Sequence, residues 1–135
     1  MGASGWAYFA KYKKDLGAVL EGLREETFRA KKFYSVDPKA KPATIEELQE
    51  MNAEEGTHSI LDIGAIADTA SFGVAAPLPK DELVALLGTD KPDHKLVAAK
   101  AHDLQTVRTR WEGTYVIVYK DGKPDEVFFT GFSGD

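Results

Sequence analysis

The sequence predicts an α+β fold of about four largely antiparallel strands, with helices packed on one face and a β-hairpin at the C-terminus. Three observations lead there. Large side chains alternate with period two at the start of the chain, apolar residues recur at helical spacing through the middle, and Asp121-Gly122 separates two β-branched and aromatic runs near the end. The order strand, helix, helix, strand, helix, helix, hairpin is expected to form a single domain over residues 1–135.

Ser4 to Tyr12 reads as a strand, with Trp6, Tyr8, Ala10 and Tyr12 on one side and Ala7, Phe9 and Lys11 on the other. From Asp15, a fitting N-cap, Leu16, Val19, Leu20, Leu23, Thr27 and Ala30 line one side of a helix. Residues 35–43 contain two prolines and read as a loop. Thr44-Ile45-Glu46-Glu47 is a capping box opening a second helix, in which Glu47 is expected to reach back to the Thr44 amide and Gly56 to end the run. His58 to Ala67 is rich in β-branched residues and predicts a strand buried on both faces near the sheet centre, interrupted by Asp62.

A short helix runs from near Pro79 to Gly88, and a longer one opens at Asp90 and Pro92 and continues to Trp111. Residues 114–119 and 126–130 then pair as the hairpin. A four-residue loop over 121–124 sets Val118 opposite Val127, Val116 opposite Phe129 and Lys120 opposite Asp125, and is preferred to a two-residue turn that opposes Tyr119 to Pro124.

With 43% hydrophobic and 29% charged residues, the 135-residue chain has the makings of a sizeable core. The absence of cysteine excludes disulfides, thiolate metal sites and cysteine nucleophiles, and the plain reading is a cytoplasmic protein. The net charge of −5 repels nucleic acid and anionic membranes. The basic groups Lys11, Lys13, Lys14 and Arg29, Lys31, Lys32 adjoin acids and read as solvated helix ends. No apolar run reaches the ~18 residues of a membrane span, the start lacks a secretory pattern, and Trp6 stands where myristoylation wants Ser or Thr. No nucleic-acid or membrane partner is expected.

The chemistry-bearing residues are few. His94 and His102 lie eight apart on one predicted helix, about 12 Å along its axis, too far to share an ion, and are placed on the surface. No His-Glu-x-x-His, nucleophile elbow, Walker or dinucleotide-binding glycine motif occurs, so no metal and no cofactor is expected. His58 is either a partly buried residue at the strand start or an acid/base group needing a carboxylate or tyrosine from another element, with Tyr8, Tyr12 and Asp135 as candidates. Asp62, flanked by Ile60, Leu61 and Ile63, has to be paired, protonated or at a strand edge, and a salt bridge to Arg24 or Arg108 is its structural explanation. Tyr8, Tyr12, Arg24, His58 and Asp62 are the candidate ligand-binding residues; no catalytic residue is assigned.

Met1-Gly-Ala-Ser-Gly-Trp6 with Tyr8, Gly56-Thr-His-Ser-Ile-Leu-Asp62 and Gly131-Phe-Ser-Gly-Asp135 together resemble a small group of uncharacterised bacterial proteins over nearly the full chain. The resemblance implies localisation rather than mechanism. It points to the two glycine-serine ends and His58/Asp62 as a shared site.

Three functions compete. The first is a small acidic protein-binding domain, immunity-like, antitoxin-like or regulatory, that engages a basic partner by charge complementarity. The second is a small enzyme or ligand-binding protein with a cleft near His58 and Asp62. The third is a stand-alone structural or regulatory domain, monomeric or paired as a homodimer through an edge strand.

Overall fold

The aromatic alternation at the start of the chain becomes β1 (Gly5–Lys11), seen in a computed structural model that describes residues 3–135. Met1 and Gly2, which open the first motif of the resemblance, lie outside the described residues. Asp15 caps α1 (Leu16–Arg29) by accepting from the Ala18 amide, and Thr44 caps α2 (Ile45–Met51) by accepting from the Glu47 amide. The capping box is closed differently from expectation, because Glu47 accepts from the Ala43 amide at 2.6 Å. After a 3-10 turn over Ile60–Asp62 come β2 (Ala65–Ile66) and β3 (Val74–Pro77). Then follow α3 (Lys80–Leu87), α4 (His94–Ala99), α5 (Ala101–Gln105), β4 (Gly113–Lys120) and β5 (Lys123–Phe132). Among the described residues no helix is long and apolar enough to cross a membrane.

The fold is α+β with an open, mixed sheet of five strands in the order β1-β5-β4-β3-β2. Strands β1, β5 and β4 pair antiparallel, whereas β4, β3 and β2 pair parallel. The largely antiparallel expectation holds for the three long strands only.

The expectation of helices on one face is corrected. Val127 and Phe129 of β5 pack with Val19 and Leu20 of α1, while Phe128 between them packs with Leu87 of α3, Val97 of α4 and Leu104 of α5. The reason lies in β4 and β5 themselves: Val116, Val118 and Phe128 cover one face and Tyr115, Ile117, Val127 and Phe129 the other. Both faces are apolar, so both need a layer.

Three further expectations fail locally. Residues 58–67 do not form a central strand. Gly56 at φ +79° and His58 at φ +53° bend the chain the left-handed way, Ser59 accepts from the Leu61 amide, and Ile60 and Ile63 enter the core from a turn. Only Ala65–Ile66 pairs, at the sheet edge. In the hairpin, Asp121 (φ +53°) and Gly122 (φ +77°) form a two-residue turn with Tyr119 opposite Pro124 and Lys120 opposite Lys123. A bulge at Val118/Tyr119 then shifts the register, setting Ile117 against Val127 and Val116 against Phe128. The helix expected to open at Asp90 and Pro92 and continue to Trp111 begins at His94 and is broken at Lys100, and Trp111 sits at φ +69° outside it.

Candidate functional site

The described chain ends meet on the turn between α2 and β2. The Ser133 amide donates to the Ser4 carbonyl at 2.8 Å, extending the β1/β5 pairing, and the Asp135 carboxylate accepts from the Ser4 amide at 2.9 Å and the Ser4 hydroxyl at 2.8 Å. His58 reaches the same carboxylate, with Nε2 3.2 Å from Asp135 Oδ2, a charge-pair distance out of line for a hydrogen bond. The His58 ring stacks on Tyr34 at 4.2 Å between centroids, almost parallel. Partial burial works to raise the Asp135 carboxyl. The Ser4 donors and the His58 charge outweigh it and leave Asp135 below the usual range.

Beneath this layer lies Asp62, only 7% exposed. The Thr57 amide and hydroxyl donate to Oδ1 at 2.7 and 2.9 Å, and the Ser133 hydroxyl donates to Oδ2. The Ser59 hydroxyl joins the chain through Thr57 at 2.7 Å. Gly56 is required here twice over: its φ is left-handed, and a Cβ would lie 2.8 Å from Asp62 Oδ2. Burial pushes the Asp62 carboxyl above its ordinary value, and the donors from Ser133 and Thr57, with the His58 charge, counter this only in part. Asp62 is thus a buried carboxylate held by three neutral donors, with no arginine or lysine on it.

The salt bridge expected for Asp62 is not formed. Arg24, itself buried, turns to Glu21 at 2.9 Å on its own helix, and Arg108 donates to the Pro77 carbonyl at 3.0 Å. A carboxylate surrounded by hydroxyls and amides satisfies its lone pairs without a charge partner. Of the five candidate ligand-binding residues, the structure brings three together. Tyr8 reaches over from β1, its hydroxyl accepting from the Ile60 amide at 3.4 Å next to His58 and Asp62. Burial raises the Tyr8 phenol, and the Ile60 contact works against that. Tyr12 packs at the margin of the core, and Arg24 is committed to Glu21. A hollow of about 490 Å³ between β1 and α1 has Tyr8 in its wall, but Asp62 opens elsewhere.

That opening is a cavity of about 340 Å³, walled by Gln49, Asn52 and Ala53 from α2 and its end, by Thr57 and Asp62, by Gly64 and Gly73, and by the rings of Phe72 and Trp111. Phe72 is 71% exposed, yet its ring lies 5.0 Å from that of Trp111. The pair is set by backbone: Gly73 donates to the Trp111 carbonyl at 2.8 Å, Gly64 to the Gly73 carbonyl at 2.8 Å, and Trp111 to the Phe132 carbonyl at 3.0 Å. Gly134 packs so closely on the indole that a Cβ there would collide with it. Asn52 is saturated, accepting from the Val36 amide and donating to the Tyr34 and Gly56 carbonyls. Gln49 donates to the Leu61 carbonyl at 2.7 Å, which fixes its side-chain amide in the cavity wall.

Gln49, Phe72 and Trp111 were not anticipated, and the signal for their neighbourhood is one of charge. Between Pro42 and Pro79 the chain has seven carboxylates and neither lysine nor arginine, whereas the rest is slightly basic. Every wall of the cavity except Trp111 comes from that segment. Five of the acids, Glu46, Glu47, Glu50, Glu54 and Glu55, lie on α2 and the turn after it. A neighbouring hollow of about 400 Å³, lined by Val36, Glu50, Met51, Glu54 and Glu55, meets the first at Ala53. Among the described residues no three His, Asp or Glu side chains converge as a metal would require.

No protein-family model matches the chain, and no curated protein or solved structure matches it significantly. Fold and site alone therefore define its class: an open mixed α+β sheet with a buried aspartate cage next to an acidic, aromatic-edged surface.

Proposed function

We propose that the protein is a small binding domain that docks a basic protein partner on the surface formed by α2, the turn after it and the Phe72–Trp111 pair, in the manner of an immunity protein or antitoxin. The observation that carries this is Phe72, a phenyl ring 71% exposed on a hydrogen-bonded turn beside a surface of α2 and the turn after it that has five glutamates. An aromatic ring held in water by its backbone is the usual anchor of an interface, and the glutamates supply the charge that steers and orients a cationic partner. Tyr34 and Val36, both partly exposed, extend the apolar part on the far side of Asn52. The aspartate cage and the sealed ends stiffen this surface, reducing the ordering cost of association.

The test is affinity capture from lysate of the source organism with wild type and with the triple variant Glu50→Lys, Glu54→Lys, Phe72→Ala. The expected result is a stoichiometric basic protein retained by wild type and lost with the variant. A partner held equally by both, or no stoichiometric partner, overturns the reading.

A further inference from the structure

We infer that the cavity beside Asp62 receives a single arginine side chain presented by the partner, the guanidinium lying between the Phe72–Trp111 rings and the acceptors Asp62 and Gln49. This deepens the proposed function in naming a protein as the source of the cation, but the chemistry of the cavity stands on its own walls.

The cavity is built for a cation from three sides. Its floor holds a buried carboxylate satisfied by three neutral donors, with no lysine or arginine on it and only the His58 ring nearby as an opposite charge. Its side offers Gln49 Oε1, an acceptor fixed by the donation of the same amide to the Leu61 carbonyl. Its lip is an aromatic pair, and a guanidinium is the cation that both stacks on such faces and forks to two acceptors. The remaining polar wall, Asn52, has no donor left to offer an anion. The walls contribute no lysine or arginine that would fill the place from within. A volume of about 340 Å³ lies at the lower end of the range for small-ligand sites, room for one side chain and its water rather than for a large metabolite.

The experiment is a titration of the whole ¹⁵N-labelled protein with N-acetylarginine methylamide, followed by amide and indole shifts. Saturable shifts are expected at the Trp111 indole, the Gln49 side-chain amide, Gly64 and Gly73, with an affinity of roughly millimolar order for so small a probe. Asp62→Asn is expected to weaken binding at least about tenfold. Phe72→Ala, at an exposed position that leaves the cage untouched, is expected to weaken it several-fold, and so keeps the inference testable if Asp62→Asn fails to fold. N-acetyl-lysine methylamide is expected to bind more weakly, and N-acetylnorleucine methylamide to give no saturable shift. Absence of saturation with the arginine probe, an equal response to norleucine, or lysine binding as tightly as arginine overturns the assignment. The variant Glu50→Lys, Glu54→Lys leaves the cavity walls in place and is expected to keep the probe bound. A partner lost there, with the probe retained, separates failure of the cavity from failure of the docking surface.

Discussion

The two faces of the sheet are closed by different physics. Under α3, α4 and α5, Phe128, Val116, Val118, Val97 and Leu104 make an apolar layer. Under α1 the apolar layer gives way at one end to buried polar groups: Thr57, Ser59, Asp62 and Ser133, tied to both described chain ends. Left-handed residues crowd that end, with His58, Trp111, Gly56 and Gly73 all at positive φ. A layer that needed only stability would be closed with leucines. A buried carboxylate and left-handed backbone at four positions set this end apart from the apolar layer opposite.

The largest effect expected is on the apolar face. Phe128→Ala should cost about 3–5 kcal/mol in urea unfolding, because a fully buried ring leaves a cavity, whereas Ser133→Ala should cost about 1–3 kcal/mol by leaving Asp62 short of a donor. Equal losses would erase the distinction between the faces.

A pair of glycines sharpens it. Gly56 and Gly88 share a φ of +79°, but a Cβ at Gly88 meets nothing within 4 Å, whereas at Gly56 it meets Asp62 and Ser133. Gly88→Ala should therefore show the backbone penalty alone, about 1 kcal/mol, and Gly56→Ala about 2–3 kcal/mol. Matching values from thermal unfolding would mean that the cage yields freely.

The pH dependence has opposite signs in the two carboxylates. Asp62 titrates above its usual 3.8, so the stability associated with its protonated form is complete below that value and is lost as pH rises through the raised one. Asp62→Asn should flatten this decline, at a cost of about 1 kcal/mol. An unchanged profile of stability against pH would assign the decline to another group. Asp135 titrates below its usual value, so its contribution is present above 3.8 and is lost as pH falls through the lowered one. This is the smallest effect, since the pair is half open to water: Asp135→Asn should cost a few tenths of a kcal/mol. The protection factors of the Ser4 and Ser133 amides should fall as pH drops through the lowered value in wild type and be low at all pH values in the variant. No change in either would detach the chain ends from the carboxylate.

How much was legible differs element by element. The caps at Asp15 and Thr44, the stop at Gly88 and the strands on either side of Asp121-Gly122 rest on contacts between near neighbours, and all are present. The segment 58–67 misled, because a run of β-branched residues suits a buried turn as well as a buried strand, and only the path set by Gly56 and His58 decides between them. Asp135 was named as a carboxylate that could face His58, and it does so at 3.2 Å. Ser133 as the donor to Asp62, 71 residues away, had no local signal.

By itself the sequence determined the local vocabulary: where α1, α2 and α3 begin, that Gly88 ends α3, which strands carry apolar runs, that the chain is acidic, and that Asp62 stands among hydrophobic residues. The tertiary structure alone decided that both sheet faces are covered, that Ser4, His58 and Asp135 converge, and that Asp62 shares a cavity with Phe72 and Trp111. The physical reason is range. Capping, turn chemistry and hydrophobic period act over a few residues, whereas burial of a charge and closure of a cavity depend on groups that the chain brings together from its two ends and its middle.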